Sequence, residues 1–124
     1  MRAIIDEPVP PGGGGEYWGR GQLFGITPAS RGRTYWYASY RSGLGSGGID
    51  VEAALAHARA RLSGRAAGIG RVLAAATPRQ TLAQRVWTVP FPGSYQRDGA
   101  VLVGDAAHGM TPNLGRVPAD GVER

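Results

Sequence analysis

Two runs rich in aromatic and β-branched residues, Glu16–Ile26 and Arg33–Tyr40, are separated by the turn-forming stretch Thr27-Pro28-Ala29-Ser30-Arg31-Gly32. This pattern predicts two adjacent strands. Beyond them the periodicity changes. Val51, Ala54, Leu55, Ala58 and Leu62 recur at helical spacing behind Asp50, a good N-cap residue, and Ser63-Gly64 supplies the stop. A shorter helix is predicted over Ala66–Ala76, bearing Ile69, Val72 and Leu73 and ended by Pro78. Leu82–Val89 reads as a further strand. Ala100–Val103, apolar and flanked by Gly99 and Gly104, reads as a short buried strand. Residues 8–15 (Pro-Val-Pro-Pro-Gly-Gly-Gly-Gly) and 43–48 read as loops, and no internal repeat is visible.

A chain of 124 residues bounds the molecule near one domain. Gly (21) and Pro (9) make up about a quarter of it, yet 42% is hydrophobic, with three Trp and five Tyr, enough for a modest core rather than disorder. Cysteine is absent, which excludes disulfides, thiolate nucleophiles and Cys-ligated metals. His57 and His108 are too few for a three-His centre, so no metal site is expected. No apolar run reaches the ~18 residues of a membrane span. The apolar stretch in Met1–Asp6 is too short for a signal peptide. A soluble, cytoplasmic protein with no membrane partner is the expectation. The net charge is +5, but all 14 basic residues are arginine, scattered from Arg2 to Arg124 rather than gathered into a footprint. No nucleic-acid partner is expected. A nucleic-acid binder would instead show affinity that falls steeply with salt.

Gly43-Leu44-Gly45-Ser46-Gly47-Gly48 matches G-x-G-x-x-G. Asp50 would put a carboxylate where a pyrophosphate should bind, Tyr40-Arg41-Ser42 separates the strand from the first Gly, and no acidic residue follows about 20 positions on to hold a ribose. A loop is the better reading. Gly104-Asp105-Ala106-Ala107-His108 is more specific. There an apolar run ends in Gly, then Asp, then small residues, so the backbone can approach a ligand while the carboxylate accepts hydrogen bonds from sugar-type hydroxyls. Taken alone, the pentapeptide would also serve as a polar turn.

The longer stretch Val101-Leu102-Val103-Gly104-Asp105-Ala106-Ala107-His108-Gly109-Met110-Thr111-Pro112-Asn113-Leu114-Gly115 closely resembles the second flavin-binding motif of class A FAD-dependent monooxygenases, the aromatic hydroxylases and their relatives. Upstream, Glu16–Gly21 through Gly25 and Pro28, and then Gly32–Tyr37, resemble paired strands of that family's substrate domain. The resemblance implies an α/β fold. Residues 1–90 would be part of the substrate domain, an α+β sheet with helices, and residues 91–124 part of a Rossmann-like FAD-binding domain carrying the Gly-Asp motif. It implies that Gly104 and Asp105 bind FAD, Asp105 through the ribityl chain, and that Pro112, Asn113, Leu114 and Gly115 lie beside the isoalloxazine ring. NAD(P)H would reduce the FAD, and oxygen activated on it would hydroxylate or epoxidise an apolar or aromatic small molecule. The resemblance assigns no catalytic side chain, and His108 reads as a structural residue.

Two departures from the family shape the expectation. Its N-terminal strand, Gly-rich loop and helix, which hold the ADP part of FAD, have no counterpart here. The motif should continue Gly-Gln-Gly-Ala, but the chain reads Gly115-Arg116-Val117-Pro118, which loss of one base from CAG-GGT-GCC would encode. The expectation is a fragment with an incomplete fold, inactive alone, whose missing FAD half-site a companion chain could supply. A small non-catalytic ligand- or protein-binding module, built on the Trp- and Tyr-rich strands, is the alternative.

Overall fold

The structure, a computed structural model, describes residues 1–41 and 47–109. It divides into two compact units, Met1–Gln84 and a second beginning at Arg85.

The first unit is a four-stranded antiparallel sheet with two helices. Strands β1 (Arg2–Ile5), β2 (Gly15–Gly19), β3 (Gln22–Ala29) and β4 (Arg33–Tyr40) lie in the order β1-β4-β3-β2. The run Glu16–Ile26, expected as one strand, is a hairpin of two. Gly21 takes φ +66°, which lets Arg20-Gly21 reverse the chain in two residues, and the apolar pattern does not display that reversal. The predicted turn at residues 27–32 is shorter than expected. β3 continues through Pro28 to Ala29, and a single 3₁₀ turn at Ser30–Gly32 leads into β4. β1, which the sequence did not reveal, pairs Arg2 with Tyr37 and Ile5 with Thr34.

Alternation along the strands separates two faces. Ala3, Ile5, Phe24, Ile26, Trp36 and Ala38 point inward and are buried against Leu55, Ala58, Leu62, Ile69, Val72 and Leu73 of the helices. Trp36 lies parallel to Phe24, ring centroids 5.6 Å apart. Its indole Nε1 is buried with no hydrogen-bond partner. Buried Thr34 is satisfied, its hydroxyl donating to the Glu7 carbonyl at 2.7 Å.

Helix α1 (Val51–Leu62) starts where the sequence predicts. Asp50 caps it, accepting from the N–H groups of Glu52 at 2.9 Å and Ala53 at 3.1 Å, a device typically worth about 1 kcal/mol. Helix α2 (Ala67–Ala75) has no side-chain N-cap, but its far end is tied down. Arg59 of α1 donates to the carbonyls of Leu73 at 3.0 Å and Ala76 at 2.6 Å, placing a cation where the helix dipole favours one. This bond pair, with Leu55, Ala58, Ile69 and Leu73, fixes the two helices together.

On the outer face, Tyr37 lies over Gly25, its register partner, so closely that a Cβ there would fall among the ring atoms. The ring thereby reaches across β3, and its hydroxyl donates to the Glu16 carboxylate. That bond, foremost, with partial desolvation, pushes the Tyr37 pKa up to about 12. The neutral phenol is the donor. The stability this bond contributes is therefore present below pH 10 and is lost as pH rises through about 12. Gly25→Ala should swing the ring away. The change is expected to destabilise the unit by about 1–2 kcal/mol, the lost contact outweighing the entropy gained on leaving Gly. In a spectrophotometric titration one tyrosine should then return toward its ordinary pKa, and an unchanged titration would refute the arrangement.

The second unit departs further from expectation. The strand expected over Leu82–Val89 does not form. Leu82 makes one antiparallel bridge with Arg2, and Val86, Trp87 and Val89 are exposed. Alternating apolar residues are strand-competent, but a strand also needs a neighbour to pair with. The buried strand expected at Ala100–Val103 is a two-residue exposed one. β6 (Ala100–Val101) pairs with β5 (Gln96–Arg97), and Val101, Leu102 and Val103 are all exposed. No described element packs over them. A final short helix, α3, spans Asp105–His108. Among the described residues no helix is long and apolar enough to cross a membrane.

Candidate functional site

The Gly-Asp motif sits at the end of a tight hairpin. Asp98 (φ 49°) and Gly99 (φ 81°) form the two-residue turn, both left-handed as such turns require. The returning chain keeps contact one step further, the Leu102 N–H donating to the Tyr95 carbonyl at 2.8 Å. After Val103 the backbone turns sharply at Gly104, φ 57° and ψ −138°, a conformation open to glycine because it lacks a side chain. The Gly104 carbonyl then accepts from the N–H groups of Ala107 at 3.0 Å and His108 at 2.9 Å, closing the single turn of α3.

Only Ala107 of that turn is buried. Two contacts hold its C-terminal end. The Val89 N–H donates to the Gly109 carbonyl at 2.7 Å, and the Tyr95 ring packs 5.4 Å from His108. Phe91 meets Tyr95 edge-on at 5.4 Å. The other end is open. Among the described residues, chain neighbours apart, no atom lies within 4 Å of where a Gly104 side chain would begin, and Asp105 is exposed. Among the described residues no donor engages its carboxylate. A free, double-acceptor carboxylate beside an accessible backbone turn suits a ligand that presents several hydroxyl donors, so the residues present fit the ribityl chain of a flavin.

Of the site residues expected from sequence, Gly104 and Asp105 are thus brought together in an open turn. Pro112, Asn113, Leu114 and Gly115 lie outside the described residues, as do Arg116–Pro118 and most of the Gly43–Gly48 loop. The sequence reading missed Tyr95. Its signal was available, because Asp98-Gly99 is a strong two-residue hairpin sequence that would have set Tyr95 opposite Leu102. Among the described residues no group of His, Asp or Glu could hold a metal ion. Two grooves of the first unit, about 240 and 280 Å³, are small for a drug-sized ligand and gather no nucleophile with a base.

No protein-family profile matches the chain. It is 37% identical over 112 residues to the aurachin C monooxygenase/isomerase of Stigmatella aurantiaca, covering 87% of this chain and 28% of that protein. To the 2-heptyl-3-hydroxy-4(1H)-quinolone synthase of Pseudomonas aeruginosa it is 34% identical over 113 residues, covering 88% and 29%. Among solved structures, a variant of Klebsiella pneumoniae HpxO complexed with FAD matches with a TM-score of 0.67 and 23% identity, over 94% of this chain and 31% of that one. The chain spans less than a third of the length of each. The mixed α/β class expected from the sequence is therefore the fold of part of a known FAD-bound protein.

Proposed function

We propose that this chain is a segment of an FAD-dependent monooxygenase acting on an apolar or aromatic small molecule. The observation that carries the reading is the 37% identity with a monooxygenase/isomerase across nearly the whole chain. The open Gly104–Asp105 turn supports it. In this reading residues 1–90 are part of the substrate domain and residues 91–124 part of the FAD-binding domain, within a cytoplasmic protein.

The FAD, when bound, supplies the electron transfer from NAD(P)H to oxygen that such a reaction needs. The chain's own residues bind and orient. The Asp105 carboxylate would accept hydrogen bonds from the ribityl hydroxyls, and Gly104 would let the backbone come close; Pro112, Asn113, Leu114 and Gly115 are assigned to the flavin ring by the motif's resemblance alone. On the sheet's outer face Ile4 and Trp18 are exposed and Leu23, Tyr35 and Tyr37 half-buried, a largely aromatic and aliphatic wall, interrupted by the Glu16 carboxylate, that a flat bicyclic substrate can lie against. The Pseudomonas relative, a 2-heptyl-3-hydroxy-4(1H)-quinolone synthase, makes alkylated quinolones the first substrates to try. Because the chain spans so little of its relatives, turnover is assigned to a larger assembly, in which further polypeptide completes the FAD site.

The test is a titration of the purified chain with FAD, following flavin fluorescence. Weak but saturable quenching is the expected result. A cooperatively folded chain that leaves the fluorescence unchanged would overturn the reading. It would favour the alternative of a non-catalytic binding module, for which the exposed aromatic face of the sheet is the supporting observation.

A further inference from the structure

Helix α3 is a single turn of four residues, far below the length at which a helix sustains itself in water. Yet the left-handed Gly104 and the placement of Asp105 both depend on it, because the Gly104 carbonyl is held by the N–H groups of Ala107 and His108. Something outside the turn must hold it closed. The Val89–Gly109 backbone bond secures the residue that follows it. The one described side-chain ring against α3 is Tyr95, packed on His108 at 5.4 Å.

We propose that Tyr95 is a positioning residue: its ring, held by the Asp98–Gly99 hairpin, braces His108 and so keeps the Gly104–Asp105 turn in its ligand-accepting shape. The inference rests on the flavin reading only for what the turn binds.

Tyr95 is itself fixed on three sides. Its carbonyl accepts from Leu102 across the hairpin. The residue before it, Ser94, is tied to the residue after it: the Ser94 hydroxyl donates to the Gln96 carbonyl at 2.8 Å and accepts from the Gln96 N–H at 3.2 Å. Its ring meets the edge of Phe91 nearly perpendicular, at 89°. The hairpin thus joins both ends of one loop: Tyr95 enters it, Leu102 leaves it, and two residues later the chain reaches Gly104. A shift of the ring is passed to the turn at both ends, through His108 and through Leu102. The ring makes the aromatic contacts, so phenylalanine should replace tyrosine and alanine should not.

Two measurements on the full chain test this. The first is amide hydrogen exchange at Ala107, His108 and Gly109, with the amides of β3 and β4 as the control for folding. Tyr95→Ala should speed exchange at the three amides at least tenfold while the controls stay protected, and Tyr95→Phe should leave it unchanged. The second is the FAD titration, where Tyr95→Ala should weaken binding at least tenfold and Tyr95→Phe should restore it. Unchanged exchange in Tyr95→Ala overturns the proposal. So does a Tyr95→Phe variant that behaves like alanine, since the ring would then not be the brace. Should the unsubstituted chain bind no FAD while Tyr95→Ala still loosens the three amides, the brace stands and the flavin reading falls.

Discussion

Trp36→Ala is expected to cost the first unit about 3–5 kcal/mol. Few domains carry more than 15 kcal/mol of stability, so the loss is a large share of what holds it folded. The indole is completely buried at the centre of the inner face. Its removal would leave Phe24 without its stacked partner and open a void among residues contributed by three strands and two helices. For a unit of this size the melting temperature should fall by on the order of 20 °C, read by far-ultraviolet circular dichroism. Trp36→Phe separates two contributions. It keeps a ring against Phe24 and deletes the buried Nε1–H that has no partner, a group whose burial costs about 1–3 kcal/mol. The smaller ring leaves some space, but the two effects oppose one another, and the variant should stay within about 1.5 kcal/mol of the parent. A Phe variant as unstable as the Ala variant would mean that the indole N–H is bonded after all.

Asp105→Ala is expected to raise the FAD dissociation constant about ten- to hundredfold while leaving the melt where it was. A hydrogen bond to a charged group contributes about 1.5–3 kcal/mol, and each 1.4 kcal/mol is a factor of ten. The carboxylate has little else to do. It is exposed, and among the described residues it accepts no hydrogen bond, so its removal leaves no buried group stranded. Asp105→Asn keeps an acceptor oxygen but loses the charge and should fall between the two. A titration in which alanine binds FAD as tightly as aspartate would remove Asp105 from the site.

Local signals were legible in the sequence wherever the interaction was local. The Asp50 cap and the spacing from Val51 to Leu62 define α1 through contacts three or four residues apart, and they appear where the pattern puts them. β1 escaped notice because four residues leave little periodicity and the partner strand begins 28 residues beyond its end. Leu82–Val89 and Ala100–Val103 erred in the opposite direction. Their residues are suited to burial, but what covers a residue is a property of its neighbours, and no described element covers these. The site divides along the same line. Gly104 and Asp105 were legible because backbone freedom and a carboxylate act where they stand. Tyr95 was legible only in part: Asp98-Gly99 sets it opposite Leu102, but its contact with His108 arises only in the folded chain.

The strand order carries a kinetic consequence. β2, β3 and β4 are joined by short turns and can zip together from neighbour to neighbour. β1 is first in the chain but pairs only with β4, so it has no place in the sheet until Tyr40 is available. On a ribosome adding about 5–20 residues per second, β1 would wait roughly 2–7 s for that partner. Ala3 and Ile5, buried in the finished sheet, stay uncovered meanwhile. The closing step spans the largest loop in the sheet, so it should be the slow one, and folding should slow further if the segment between Asp6 and Gly14 is lengthened.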